Sequence, residues 1–210
     1  TKPPISWKGI LFDSNEEMFF AMWLDELQQA GIVERWSRKV EPIQLTEGIT
    51  LSYTKITKLK TKIKKEEKEH ILLRPSEYTA DFQIYFTIDA YEKIIVGEIE
   101  NHYYDNRVKD VILWDSGNSV YVEVKPSFDQ NNMERLFVNN QKFIYDKCKL
   151  FVNLVEPIEL FKKTFLPLAA EPYFRYKVVP KKAAAKGKKK GDYKFDWKPR
   201  NITEFLNINK

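Results

Sequence analysis

The sequence predicts an α/β domain in which helices flank a mixed β-sheet. Three observations support this prediction: an amphipathic helical pattern begins near residue 14, two later segments alternate apolar and polar residues as strands do, and a strand, a helix and another strand follow one another between residues 120 and 155. Hydrophobic residues make up 43% of the 210 residues and aromatic residues 14%, which is enough for a core and excludes a wholly disordered chain.

The first predicted element is a helix of about four turns. Ser14 is followed three residues later by Glu17, the spacing of a capping box at a helix N-terminus. Gly31 ends the pattern, because glycine commonly follows the last turn of a helix. Between these two signals the apolar residues recur at helical spacing: Phe20, Trp23, Leu24 and Leu27.

Several strands follow this helix. Residues 33–45 are predicted to form an irregular strand region, and residues 78–86 form a clear strand because apolar and polar residues alternate along them. Residues 94–99 and 108–114 have the composition of further strands. The valines of residues 120–125 again alternate with polar residues, which predicts a strand with one buried face.

The last part of the predicted core is a helix at about residues 131–147 and a short apolar strand at 150–155. If this strand shares a sheet with the strand at 120–125, the two should be parallel and joined by a right-handed crossover. Cys148, at the end of the helix, is expected to be a buried small apolar residue.

Basic residues are concentrated in two blocks, although the net charge of the whole chain is only +5. From residue 175 to the end, 12 basic residues face 3 acidic ones, whereas residues 1–174 carry 23 basic and 27 acidic residues. Between residues 55 and 68, 7 lysines face 2 glutamates. We expect residues 54–70 to form an extended arm and residues 175–210 to form a basic linker and tail.

Such blocks commonly bind polyanions, and two of them on an otherwise acidic body predict a nucleic acid as a partner. The alternative is that they are solvated surface charge. The lysines expected to hold phosphates are Lys55, Lys58, Lys60, Lys62, Lys64, Lys65, Lys181, Lys182, Lys188, Lys189 and Lys190.

Two carboxylates and a lysine are candidates for chemistry. Asp81 lies in the strand at 78–86, while Glu123 and Lys125 are two residues apart and therefore leave the same face of their strand. Phosphodiester hydrolysis requires carboxylates that converge on a hard divalent cation and an ammonium group beside it. A third carboxylate from the first helix could complete a second metal position.

The composition restricts which metal such a site could hold. One cysteine and two histidines exclude an internal disulfide and a cysteine-based zinc site. Oxygen ligands favour Mg²⁺, with Mn²⁺ as a substitute. No apolar run is long enough to span a membrane, and residues 1–13 lack the core of a signal peptide, so we expect an intracellular protein without a membrane partner.

Three motifs together resemble the PD-(D/E)XK nuclease superfamily, whose fold is called restriction-endonuclease-like. They are Phe12-Asp13-Ser14-Asn15-Glu16-Glu17, Tyr78-Thr79-Ala80-Asp81-Phe82 and Val122-Glu123-Val124-Lys125. The layout also looks like that of phage-borne nucleases and TnsA-type transposon endonucleases. The resemblance covers about residues 13–155 and implies an αβββαβ core inside a nuclease-like domain of residues 1–174, with an inserted β arm and a basic C-terminal tail.

The resemblance also implies roles for individual residues. Asp81 and Glu123 would ligate the metal together with the backbone carbonyl of Val124. Lys125 would position the attacking water and stabilise the transition state, and Glu17 would support a second metal. Glu16, one position earlier, is the reserve candidate for the helix carboxylate.

A later element resembles the Gln-x-x-x-Tyr motif of some RecB-like members. Gln141 and Tyr145 match it and would contact the DNA backbone near the scissile phosphate, although Lys142 stands where a hydrophobic residue is usual. Two further departures are Ala80 in place of proline before Asp81, and a separation between the acidic motifs that requires an insertion at about residues 87–119.

The sequence thus predicts a magnesium-dependent DNA endonuclease of phage or mobile-element type, acting in recombination, junction resolution or DNA processing. The alternative is a nucleic-acid-binding or assembly protein that keeps a nuclease-like fold without turnover. Glu17 could serve only as a helix cap, and Glu123 with Lys125 could be a solvated strand face. A homodimer, and a partner on which residues 193–210 dock, are both left open.

Overall fold

The computed structural model describes residues 5–38, 40–90, 93–98, 113–117, 119–126, 133–176, 193–195 and 197–208. Within these residues, no helix is both long and apolar enough to cross a membrane. The helices are α1 (Asn15–Gln29), α2 (Met133–Cys148), α3 (Pro157–Lys163) and α4 (Ile202–Ile208). The strands are β1 (Ile5–Trp7), β2 (Ile10–Phe12), β3 (Val33–Arg38), β4 (Ile43–Thr46), β5 (Ile49–Lys58), β6 (Ile63–Leu73), β7 (Ser76–Tyr78), β8 (Phe82–Phe86), β9 (Ile95–Glu98), β10 (Leu113–Asp115), β11 (Val120–Val124), β12 (Val152–Val155), β13 (Phe174–Tyr176) and β14 (Tyr193–Phe195).

A four-stranded sheet in the order β12-β11-β8-β3 forms the centre of the protein. Strands β3 and β11 run antiparallel to β8, whereas β11 and β12 are parallel. The parallel pair is joined through α2, as a parallel connection requires a long crossover. The prediction of a mixed sheet is confirmed, and so is the parallel arrangement of the two strands around α2.

Helix α1 covers one face of this sheet. Phe82 and Ile84 of β8 share a buried core with the apolar residues of α1, and the rings of Phe20 and Phe82 meet edge to face with 5.0 Å between their centroids. The three valines of β11 belong to the same core. This face is therefore mostly apolar, and Glu17 in the first turn of α1 is a buried charged side chain on it.

The opposite face packs against α2. Phe137 and Ile144 of α2 are buried in a second core, and Tyr121 of β11 packs against it. Because side chains alternate along an extended chain, Glu123 of β11 and Lys125, the residue directly after β11, lie on the same face as Tyr121. Helices thus flank the sheet on both sides, and the polar motif faces the α2 side.

The boundaries of α1 agree with the sequence signals. The Ser14 hydroxyl accepts a 3.1 Å hydrogen bond from the backbone N–H of Glu17, and this is the predicted N-cap. Gly31 follows the helix with φ at +76°, a conformation that glycine adopts at no steric cost. The predicted start and end of this helix are therefore confirmed.

The lysine-rich arm is a long β-hairpin. Strands β5 and β6 pair antiparallel from Ile49 opposite Leu73 to Lys58 opposite Ile63. The turn is closed by a 2.8 Å hydrogen bond from the backbone N–H of Leu59 to the carbonyl of Lys62. Most of its side chains are exposed, and its 10-residue first strand is about 33 Å long at 3.3 Å per residue. We call this element the arm; it begins earlier and ends later than the predicted range of 54–70.

The segment 78–86 is not one continuous strand, contrary to the prediction. Strand β7 ends at Tyr78 and pairs with β4, whereas β8 begins at Phe82 and pairs with β3 and β11. Residues 79–81 connect these two sheets, so the chain changes its partner strands although the apolar alternation continues. Asp81 consequently precedes β8 and does not lie within it.

The end of the chain contributes to the domain. Phe205 of α4 is buried in the α1 core, and Trp197, Ile202 and Leu206 pack against that core. Strand β14 pairs in parallel with β13. Residues 193–208, which we included in a tail, thus carry folded elements, whereas the tail lysines at 181–190 lie outside the described residues.

Two other predicted features can be compared with the structure. The predicted insertion at 87–119 contains β9 and β10, which pair in parallel, while residues 99–112 lie outside the described part of the chain. Cys148 is the last residue of α2 and is exposed, so the prediction that it is buried is wrong.

Candidate active site at one end of the central sheet

The candidate site lies where four strands of the central sheet begin or end. Arg38, the last residue of β3, is opposite Phe82, the first residue of β8. Val124 and Val155, the last residues of β11 and β12, are opposite one another. Asp81 immediately precedes Phe82 and therefore lies at this same end of the sheet. The fold in this way brings together side chains from widely separated parts of the sequence.

Asp81 is fixed to the end of β11. The backbone N–H of Val124 donates a 2.8 Å hydrogen bond to Oδ2 of Asp81. The pKa of Asp81 is raised from its ordinary value of 3.8 to about 7, first by burial and then by the negative charge of Glu123, while the hydrogen bond from Val124 opposes this shift. Ionised Asp81 therefore sits in an excess of negative charge that a cation would relieve.

Glu123 is buried and held from two sides. The Tyr78 hydroxyl donates a 2.6 Å hydrogen bond to its Oε2 atom. The ammonium group of Lys125 donates to the other oxygen, Oε1, as the i, i+2 spacing on one strand face allows. The orientation of the Glu123 carboxylate is thus defined by a neutral donor and a cation.

Tyr78 is a member of the site to which the sequence analysis gave no role. It is the last residue of β7, and its ring packs against that of Phe137 with 6.5 Å between centroids. Burial and the charge of Glu123 raise the pKa of Tyr78 far above its ordinary value of 10.0, so the phenol keeps its proton and acts as a donor. Only its place three residues before Asp81 could have drawn attention to it.

Glu17 joins the site from the first turn of α1. Its side chain is buried, and Oε1 accepts a 3.2 Å hydrogen bond from the Ser14 hydroxyl. Its charge is among those that raise the pKa of Asp81, which puts the two carboxylates within electrostatic range of each other. Glu17 therefore belongs to the helix cap and to the surroundings of Asp81 at once.

Arg38 is a second residue that the sequence analysis missed. Its guanidinium group pairs with Oε2 of Glu17, donates to the backbone carbonyl of Leu11 and lies 4.4 Å from the centroid of the Phe12 ring. Only 11% of its side chain is exposed. Nothing in its local sequence distinguishes it from an ordinary surface arginine at the end of a strand.

The donor set fits a divalent cation of the magnesium type. Within the described part of the chain, no group of three or more His, Cys, Asp or Glu side chains is arranged to hold a metal ion. Mg²⁺, however, is commonly bound through one or two carboxylates, with water and phosphate oxygens completing its coordination. Asp81 and Glu123 supply two such groups. The carbonyl of Val124 points to the same side of β11 as its N–H, which is the side of Asp81.

Gln141 and Tyr145 lie in α2, on the side of the sheet that carries Glu123. The Gln141 amide donates a 2.6 Å hydrogen bond to the carbonyl of Val152, which ties the helix to β12. The ammonium group of Lys149 lies 5.5 Å from the centroid of the Tyr145 ring. These contacts give both residues a structural role, and their contact with a substrate stays a prediction.

The lysines predicted to bind phosphates fall into two groups. Six of them belong to the arm, and the five at 181–190 lie outside the described residues. The six described ones are Lys55, Lys58, Lys60, Lys62, Lys64 and Lys65.

Comparisons with protein-family models, with curated proteins and with solved structures return no match to the chain. A function for this protein therefore has to follow from the chemistry of the site. That chemistry consists of two crowded carboxylates, a lysine that contacts one of them, and a buried tyrosine and arginine that hold the acidic groups in place.

Proposed function

We propose that the protein is a magnesium-dependent nuclease that hydrolyses DNA phosphodiester bonds, most simply an endonuclease of phage or mobile-element type. The observation that carries this proposal is the meeting of Asp81, Glu123 and Lys125 at one end of the sheet. Such an enzyme would act in recombination, junction resolution or DNA processing, which the resemblance of the motifs suggests.

The order of the elements supports a restriction-endonuclease-like core. Helix α1 and strands β3, β8 and β11 are followed by α2 and β12, which is the αβββαβ order of the PD-(D/E)XK superfamily. Strand β3 pairs antiparallel with β8, β8 pairs antiparallel with β11, and β11 pairs parallel with β12. In this interpretation the arm is an insertion between β3 and β8.

The proposed metal site uses oxygen donors. Asp81 and Glu123 would hold the ion together with the carbonyl of Val124, and Glu17 would support a second ion. When bound, a magnesium ion would polarise the phosphate and favour the ionised form of an attacking water. Asp81 has to be ionised for this role, and the same cation would offset the burial and the repulsion from Glu123 that raise its pKa.

The side chains beside the metal site have separate tasks. The Lys125 ammonium contacts Glu123 and could turn toward a phosphate, where it would stabilise the negative charge that develops in the transition state. Tyr78 keeps Glu123 oriented by donating to the oxygen that Lys125 does not contact. The arm lysines would hold the DNA backbone, and Gln141 and Tyr145 are candidates for contacts near the scissile phosphate.

The test is cleavage of supercoiled plasmid with Mg²⁺, with Mn²⁺ and with EDTA. Wild type is expected to nick or linearise the plasmid only with metal, and the variants Asp81→Ala and Lys125→Ala are expected to lose at least a hundredfold in rate. Asp146→Ala and Lys147→Ala are matched controls, because both residues are exposed on α2. Wild-type cleavage that persists in EDTA, or a fully active Lys125→Ala variant, would refute the proposal.

The second candidate is a DNA-binding protein without turnover. The exposed lysines of the arm favour it, because they supply affinity for phosphates that is independent of the acidic site. Such a protein would shift the plasmid on a gel, lose affinity steeply with salt and be indifferent to Asp81→Ala. Branched and single-stranded DNA should be tested in the same way before cleavage is excluded.

A further inference from the structure

We propose that the tip of the arm enters the major groove of duplex DNA, with Ile56 and Ile63 against the base edges and Lys58 and Lys65 on the phosphates. The inference rests on the proposed function only in taking DNA as the ligand. It adds to that function an element that contacts the bases of the DNA and that lies outside the cluster of catalytic side chains.

The pairing register defines what the tip presents. Ile56 is opposite Lys65, and Lys58 is opposite Ile63. Since side chains alternate along each strand, all four leave the same face of the hairpin, with the two isoleucines on its diagonal and a lysine beside each. We call this set of four residues the tip patch.

Charge is divided unevenly along the arm. From residue 55 to residue 65 there are six lysines and no acidic residue, whereas residues 66–69 include three glutamates. In the stem, Glu66 is paired with Lys64, and Glu67 accepts a 2.7 Å hydrogen bond from Thr54. The tip is therefore strongly attractive to a polyanion, whereas the stem, with three glutamates and one lysine, carries a net charge of −2.

The isoleucines of the tip patch are exposed to water. Ile56 is 60% exposed and Ile63 is 61% exposed. Large apolar side chains that are exposed side by side usually mark a binding surface. An apolar pair between lysines suits a DNA groove, where phosphates line both walls and the thymine methyl groups lie on the floor.

The dimensions decide between the two grooves. Two paired strands are about 5 Å apart, and their side chains bring the width of such a ribbon to roughly twice that value. The major groove of B-DNA is about 12 Å wide and admits a two-stranded ribbon, whereas the minor groove is only about 6 Å wide. The length of the arm, about 33 Å, allows its tip to reach a groove while the domain stays outside the duplex.

Binding of the full chain to a fluorescent 20-base-pair duplex in EDTA tests the proposal without cleavage. The double variant Ile56→Thr, Ile63→Thr is expected to bind roughly tenfold more weakly, with an unchanged dependence on salt. The double variant Lys58→Gln, Lys65→Gln is expected to lower the slope of log affinity against log salt by about 2. Ile71→Thr is the matched control, because Ile71 lies on the same face in the stem and is 57% exposed.

A second measurement uses the DNA. A duplex in which uracil replaces thymine lacks the methyl groups of the major groove, and wild type is expected to bind it several-fold more weakly. The isoleucine double variant is expected to bind the two duplexes equally.

Three outcomes would overturn the proposal. The isoleucine double variant could bind like wild type, or the methyl groups could have no effect on wild-type binding. In the third, sedimentation would show a wild-type dimer that the isoleucine double variant splits into monomers, which would make the tip patch a self-association surface. Because these measurements are made without metal, they are independent of the plasmid cleavage that tests the nuclease proposal.

Discussion

The site and the arm both concentrate charge, but they do so in opposite environments. At the end of the central sheet, Asp81, Glu123 and Glu17 are close together and largely removed from water, with Lys125 and Arg38 as their partners. In the arm, seven lysines extend into solvent on a hairpin that buries almost nothing. Charged side chains are therefore shielded from water at the site and surrounded by water in the arm.

This difference determines what each region controls. Interactions between buried charges are strong because little water screens them, and every unpaired partner is costly. Exposed charges contribute little to stability, since water and salt screen them, but they attract polyanions over longer distances. We therefore expect changes at the site to alter stability and its pH dependence, and changes in the arm to alter binding.

The largest expected effect on stability is that of Arg38→Met. The substitution keeps an unbranched chain over Phe12 but leaves Glu17 buried without its cation. Removing one partner of a buried ion pair typically costs about 3–5 kcal/mol. Urea unfolding at pH 7 should show a loss of this size, and adding Glu17→Gln to the variant should recover a large part of it.

The arm provides the control for this prediction. Lys64 and Glu66 are also paired, but their side chains are 54% and 34% exposed, compared with 11% and 9% for Arg38 and Glu17. Lys64→Met should therefore change the free energy of unfolding by less than about 1 kcal/mol. Equal losses in the two variants would contradict the comparison between the two regions.

The second prediction concerns pH. The folded-state pKa of Asp81, about 7, lies above its ordinary value of 3.8, so the folded protein binds a proton more tightly than the unfolded chain. The stability that this proton contributes is fully present below about pH 4 and is lost as the pH rises through about 7. Asp81→Asn removes this loss of stability. In EDTA at pH 8 the variant should be more stable than wild type by about 3 kcal/mol. A shift of one pKa unit corresponds to about 1.4 kcal/mol, and the partial exposure of Asp81 reduces the free energy that the whole shift would give.

Chemical denaturation of both proteins at pH 4, 6 and 8 measures this difference. The advantage of Asp81→Asn should be small at pH 4 and grow toward pH 8. Adding Mg²⁺ at pH 8 should stabilise wild type more than the variant, since only wild type offers the carboxylate. An advantage that is constant from pH 4 to pH 8 would show that Asp81 is not the group that titrates.

The sequence predicted correctly those elements that depend on residues close together in the chain. The capping box of Ser14 and Glu17 defines the start of α1, and the alternation of residues 120–125 defines β11 together with the face that carries Glu123 and Lys125. The hairpin turn at Lys60 and Thr61 could not be recognised, because it contains none of the residues that mark tight turns.

Long-range contacts explain what the sequence could not predict at the site. Tyr78 reaches Glu123 across 45 positions, and Arg38 reaches Glu17 across 21. Neither side chain has a local pattern that distinguishes it from a packing or surface residue. The break before Asp81 was missed for the same reason, since it depends on which strands the chain pairs with and not on its own alternation.

A smaller effect is expected for Tyr78→Phe. The substitution removes the donor to Oε2 of Glu123, and a hydrogen bond to a charged group is worth about 1.5–3 kcal/mol. We expect a loss of about 2 kcal/mol by urea unfolding at pH 7. Tyr53→Phe in the arm, where the ring is 47% exposed, is the matched control and should have no measurable effect. A loss of the same size in both variants would mean that the hydroxyl of Tyr78 has no special role.

The smallest effect on stability is expected for the arm lysines themselves. Replacing Lys58, Lys60 and Lys62 by glutamine should change the free energy of unfolding by less than about 0.5 kcal/mol, because all three side chains are exposed and their mutual repulsion is relieved. The same variant should show a clearly weaker dependence of DNA affinity on salt. Both quantities should be measured on one preparation of each variant. Arg38→Met should change the free energy of unfolding strongly and DNA affinity little, whereas the lysine variant should change DNA affinity strongly and the free energy of unfolding little. A lysine variant that unfolds readily would mean that the arm packs on the domain, and the separation of stability from binding between the two regions would then fail.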